Sequence, residues 1–184
     1  MIDVSDTQLR EALGAALSVD RWVAEVAARA PFDSVEQLVA VAHNAATPLA
    51  PAEIDAAIAH HPRIGEKPVG EGAAQAFSRS EQASVDASDT ALAAALAAGN
   101  RAYEERFGRV FIIRAAGRSR REILAELDRR LELDDGTELA IVGEQLRDIA
   151  VLRLHTTFAD AAPVGAPEPA GASAAGTAEK GSAL

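Results

Sequence analysis

Val110-Phe111-Ile112-Ile113 is the stretch on which the fold class turns. A short apolar run of β-branched and aromatic residues has the composition of a buried strand. A strand, however, needs a ladder partner for its backbone groups, and no obvious partner occurs elsewhere in the 184 residues. The run therefore reads as a buried extended connector, or as a helical turn packed into the core, ended by Gly117-Arg118. With no sheet to build, the remaining periodicity decides the matter. The predicted fold is all-α: a single compact multi-helix domain over residues 1–159, followed by a disordered Ala/Gly/Pro/Ser-rich tail over 160–184.

Downstream of the connector, Ser119-Arg120-Arg121-Glu122 has the form of a capping box, and Ile123, Leu124, Leu127 and Leu131 follow at helical spacing. The basic cluster Arg114, Arg118, Arg120 and Arg121 is dense for so acidic a chain. It reads either as a solvated helix start or as an attractor for an anionic ligand. Asp134-Asp135-Gly136 reads as a turn before a last helix from about Thr137 to His155, striped by Leu139, Val142, Leu146, Ile149 and Leu152. Arg153 would then lie in its final turn, where a cation is favourable.

Upstream, a helix opens at Ser78-Arg79-Ser80-Glu81 in capping-box register and continues through Leu92, Leu96, Tyr103 and Phe107, with a break expected near Ser88 or Gly99-Asn100. Glu66 to Ala76, containing Pro68, Gly70 and Gly72, reads as a loop. Nearer the N-terminus, Ser5 to Gln8 caps a helix carrying Leu9, Leu13, Ala16 and Leu17. A second helix is expected from Asp20 to Ala30 with Trp22, Val23 and Val26 in the core. Ser34 to Gln37 forms another capping box before Leu38, Val41 and Ala42, and Pro51 suits the first turn of a helix running to Ala59.

Composition agrees with helices. Hydrophobic residues make up 48%, much of it alanine, while aromatics are 4%. The net charge of −10 argues against a nucleic-acid backbone as partner. With no cysteine there is neither disulfide nor thiolate ligand nor cysteine nucleophile. The N-terminus lacks the regions of a signal peptide, and no segment is apolar enough to span a bilayer, so a cytoplasmic protein without membrane association is expected.

Titratable groups crowd at His60-His61-Pro62-Arg63-Ile64-Gly65-Glu66. Pro62 disfavours α geometry at His61 and should end the helix there. A histidine at such a break can face a cleft, and its ordinary pKa suits proton transfer. The same residues also make a plain helix stop with a partly exposed imidazole. A metal site from His43, His60 and His61 is disfavoured, since adjacent histidines diverge and no recognised ligand spacing is present.

Blocks in order along the chain carry a resemblance. They are Arg21-Trp22-Val23, His61-Pro62-Arg63-Ile64-Gly65, Ser78-Arg79-Ser80-Glu81-Gln82, Asn100 to Gly108, Gly117-Arg118-Ser119, and Ile149 to Leu154. In these the chain resembles the OHCU decarboxylase family, which acts on 2-oxo-4-hydroxy-4-carboxy-5-ureidoimidazoline. The resemblance implies an all-helical, cofactor-free, usually homodimeric enzyme forming (S)-allantoin with loss of carbon dioxide. It implies His61 as catalytic proton donor with Glu81 and Arg153 as companions. Substrate contacts would come from Pro62, from Ser78, Arg79, Ser80, Glu81 and Gln82, and from Ile113, Arg114, Ala115, Ala116 and Gly117, with no metal. Ser84 departs from a commoner glycine, and the tail has no counterpart. The alternative is a helical binding or regulatory homologue that keeps the pocket without turnover.

Overall fold

The computed structural model describes residues 1–59, 61–65 and 89–159. The expected loop from Glu66 to Ala76, the helix start at Ser78 and the tail after 159 lie outside them. The described residues form helices α1 (Asp6–Ala16), α2 (Asp20–Ala27), α3 (Val35–Ala45), α4 (Pro51–Ile58), α5 (Thr90–Phe107), α6 (Arg120–Leu131) and α7 (Asp135–Phe158), with no strand among them.

Local chemistry starts most of these helices. Ser5 and Ser119 accept from the amides of Gln8 and Glu122, whose side chains return the bond in full capping boxes. Ser34 caps α3 in the same way, but the reciprocal half of the expected box is absent. Gln37 instead accepts from the Asp33 amide, 2.7 Å away and one residue earlier. Asp134 is not part of a turn before α7 but its N-cap, accepting from the Thr137 amide at 2.9 Å. α7 therefore begins two residues before the expected Thr137 and runs on to Phe158, whose buried ring holds its last turn in the core.

α2 ends at Ala27 rather than Ala30. The amides of Arg29 and Ala30 bond back to Val26 and Ala27 as a tight turn, because Pro31 restricts the residue before it. Of the two expected break points, the helix starts beside the first, at Thr90 with Asp89 as its extended N-cap, and α5 runs unbroken through the second, Gly99-Asn100. A Cβ on Gly99 would lie 2.8 Å from Leu127 Cδ2, so this glycine lets α5 and α6 approach rather than ending a helix.

Two apolar clusters make the core. One is built from α1 to α4 and α7, around Leu13, Trp22, Leu38, Ile54 and Leu146. The other lies between α5 and α6, around Leu96, Tyr103, Phe107 and Leu127. The connector passes between them as extended chain: Val110 and Ile112 face the first cluster, Phe111, Ile113 and Ala115 the second. Opposite faces at alternate residues are the period of a strand. Side chains replace a ladder partner here. Arg130 Nη1 donates to Ile112 O at 2.7 Å, and Gln145 Oε1 accepts from the Arg114 amide at 3.0 Å.

Arg130 belongs to a fully buried network. Its Nε donates to both Glu138 oxygens at 2.9 Å, and the Tyr103 hydroxyl donates to Glu138 Oε1. The guanidinium lies 4.7 Å from the Phe111 ring centroid. Charges are tolerated in a core only when paired and hydrogen-bonded in this way. Burial, then the bond to Glu138, pushes the Tyr103 hydroxyl well above its usual pKa.

Candidate functional site

α4 ends at Ile58, and the amide of His61 bonds back to Ile58 O at 2.9 Å. Beyond it His61-Pro62-Arg63 takes no regular secondary structure, and the chain turns at Ile64-Gly65, where Gly65 has φ +84°. His61 and Pro62 are half-buried. His61 lines a groove of about 690 Å³ with Asp55, Ile58, Glu104, Arg109 and Val110 among its walls. His61 thus stands just past a helix end, on the wall of this groove.

The segment after His61 is tied to α5 twice. Arg63 grips Glu104 with both arms of its guanidinium, at 2.5 and 2.7 Å. That hydrogen bond, opposed by desolvation, holds the Glu104 carboxyl below the usual carboxylate range. Asn100 Nδ2 donates to Ile64 O at 2.9 Å, and the Ile64 side chain sits in the second cluster.

Of the predicted substrate-contacting stretch, Ile113 and Ala115 are buried while Arg114 and Ala116 are half-buried. The side chains of Ile113 and Ala115 are committed to the core and so are not offered to a ligand. The chain turns out at Gly117, with φ +80°, and the Arg118 amide bonds back to Ala115 O at 2.9 Å. The basic cluster is spread out: Arg114, Arg118 and Arg120 are half-buried and Arg121 is exposed. Arg120 lines a second cavity of about 340 Å³ with Arg63, Gly65, Asn100 and Arg101.

Arg153 lies further from the helix end than the final turn expected for it. α7 continues past it to Phe158, and the side chain is 3% exposed, with Nη1 bonded to Ala16 O at 3.3 Å. A guanidinium so buried is held by specific partners rather than by a helix end. Ser78, Arg79, Ser80, Glu81 and Gln82 lie outside the described residues, as does His60. Among the described residues no group of three His, Asp or Glu could hold a metal ion, and no helix is long and apolar enough to cross a membrane.

The sequence assigns no tying role to Asn100, Glu104, Arg130, Glu138 and Gln145, each of which joins elements by side-chain bonds. A signal existed for two of them. Asn100 interrupts the apolar stripe Leu96, Tyr103, Phe107, and Arg130 continues the stripe Ile123, Leu127. A polar residue at a core position of a helix needs a buried partner.

Residues 3–155 match the family model of the OHCU decarboxylases. A 2-oxo-4-hydroxy-4-carboxy-5-ureidoimidazoline decarboxylase of Haloferax volcanii is 28% identical over 158 residues, spanning 84% of this chain and 92% of that protein. The uric acid degradation bifunctional protein TTL of Arabidopsis thaliana is 37% identical over 112 residues, 59% of this chain but only 34% of the plant protein's length. In fold, the chain is similar to an OHCU decarboxylase crystallised in the presence of (S)-allantoin, with a TM-score of 0.68 at 22% identity, over 82% of this chain and 99% of the other. It is also similar to an (S)-allantoin synthase, with a TM-score of 0.58 at 18% identity, over 83% and 50%. The family match takes in the irregular segment with its half-buried histidine, the connector and the long last helix with its buried arginine, and on that extent the chain belongs to the OHCU decarboxylase family.

Proposed function

We propose that the chain performs its family's reaction, the cofactor-free decarboxylation of 2-oxo-4-hydroxy-4-carboxy-5-ureidoimidazoline to (S)-allantoin in urate degradation. By family it is a carboxy-lyase. The observation that carries the mechanistic reading is His61, half-buried on a groove wall just past α4, in a backbone segment tied to α5.

The chemistry suits such a site. The bond to the carboxylate breaks, and its electron pair passes into the ring's conjugated C=N and carbonyl groups as carbon dioxide leaves. A proton then adds to one face of the ring, which sets the handedness of the product. The protein has to orient the substrate and hold one proton donor in place. His61 is that donor, and Arg153 offers a planar fork to substrate oxygens. Glu81 holds the imidazole tautomer or the ureido donors, and the backbone from Ile113 to Gly117, with Pro62 and Ser78 to Gln82, frames the substrate. The working unit is a cytoplasmic homodimer, which light scattering and cell fractionation check.

Because the substrate is unstable, it is best generated in situ with urate oxidase and hydroxyisourate hydrolase, following the optical activity of the allantoin formed. Wild type should yield (S)-allantoin faster than the spontaneous racemic background. His61→Asn should fall to that background with an unchanged helical circular dichroism spectrum. Equal rates from the two proteins would remove His61 from the chemistry. A silent wild type would leave a binding homologue.

A further inference from the structure

We propose that Asn100 and Glu104 are positioning residues for this reaction, holding the His61 imidazole in place through the backbone that follows it. The inference rests on the decarboxylase reading above. Beyond the bond from the His61 amide to Ile58 O, the residues from His61 to Gly65 have neither a helical nor a sheet ladder to fix them. Their position depends on ties to neighbours, and two run to one face of α5. Residues four apart on a helix lie one above the other, and Asn100 and Glu104 take the consecutive residues Ile64 and Arg63.

The two ties differ in kind. Asn100 is 5% exposed and fixes a backbone carbonyl, while the Arg63–Glu104 fork fixes the side chain beside it. Between them on the helix, Tyr103 anchors α5 to Glu138 in the buried network. Displacement of the segment is thereby coupled to the core.

Asn100 is an unfavourable choice if stability alone is considered. Asparagine is a poor helix former, its stripe neighbours Leu96, Tyr103 and Phe107 are apolar, and its Oδ1 is buried with no partner among the described residues. An apolar side chain would suit the stripe better but could not hold Ile64 O. The amide's use is the placement of the segment that carries His61.

Asn100→Leu and Glu104→Gln test this. Three readouts serve: kcat and KM on substrate made in situ, the thermal midpoint, and the NMR resonances of the His61 ring without substrate. Misplacing a proton donor by a fraction of an ångström should lower kcat about ten- to a hundredfold. KM should change by less than about threefold, since substrate contacts are retained. Asn100→Leu should keep its thermal midpoint, and the His61 resonances should shift or broaden in both variants. Glu104→Asp, which keeps the ion pair with Arg63, should recover part of the lost kcat. Activity within twofold of wild type in both variants, or a loss that simply follows the thermal midpoint, would overturn the proposal. A wild type that makes no allantoin fails the decarboxylase reading instead. In that case His61 resonances unmoved in either variant overturn the positioning role too, and resonances that move support it.

Discussion

Arg153 shows how burial changes the meaning of a single side chain. At a helix C-terminus an arginine is worth a few tenths of a kcal/mol to about 1 kcal/mol, and lysine would serve as well. At 3% exposure, bonded to Ala16 O and well inside α7, it is desolvated, and its fixed fork geometry matters. Arg153→Lys should therefore lose turnover about ten- to a hundredfold, corresponding to one charge-assisted bond of about 1.5–3 kcal/mol, although the charge is kept. Steady-state kinetics on the Lys variant check this. Near-wild-type rates would leave Arg153 a structural residue joining α7 to α1.

At the scale of elements, the connector stands or falls with the network beneath it. Glu138→Ala leaves the fully buried Arg130 without its counter-ion, and should cost about 3–5 kcal/mol in urea unfolding. Replacing both members with apolar residues (Arg130→Met with Glu138→Leu) should cost less than the single change, because no buried charge is stranded. Some loss should persist, since Ile112 O gives up its donor. Gly99 makes a second test. A helix-interior Gly→Ala exchange ordinarily gains about 1 kcal/mol. Here the new methyl meets both Leu127 methyls, at 2.8 and 3.2 Å, on a side chain with no exposed surface. Overpacking costs about 1–3 kcal/mol, so Gly99→Ala should lower the thermal midpoint, and adding Leu127→Val should restore part of the loss. A rise in the midpoint with Gly99→Ala alone would show that α5 and α6 can move apart freely.

For the whole molecule, titration limits stability on both sides of neutrality. Hydrogen bonds from Arg21, Arg63 and Arg129 hold Glu53, Glu104 and Glu126 below the usual carboxylate range, against the opposing effect of burial. A lowered folded pKa stabilises above the unfolded value of about 4.3 and is lost as pH falls through the folded value. Tyr103 acts in the opposite sense. Its folded pKa is raised, so its contribution is complete below the unfolded value of about 10 and is lost as pH rises beyond it. The slope there reaches about 1.4 kcal/mol per pH unit for one proton. A plateau between about pH 5 and 9 with a fall on each side is expected in thermal melts. Tyr103→Phe should lower the plateau by about 1–2 kcal/mol and flatten the alkaline limb. An unchanged alkaline limb in the Phe variant would show that other groups govern it.

What the sequence determined by itself was local. Serine and aspartate caps, proline stops and the 3.6-residue stripes are interactions within one or two turns, so Ser5, Ser119, Pro51 and Pro62 announce their elements without knowledge of any neighbour. The absence of a second strand-like run likewise made an all-α fold legible, and the position of His61 before Pro62 marked the candidate site. The tertiary structure decided whatever depends on residues distant in the chain. Only packing shows that Gly99 is a point of close approach rather than a helix break, and that Phe158 draws α7 beyond its expected end. Only packing likewise places Ile112 and Ile113 in different cores. The partners of Asn100, Arg130, Glu138 and Gln145 follow the same rule, because a buried polar group is satisfied by whatever the fold brings within about 3 Å, and sequence spacing carries no record of that distance.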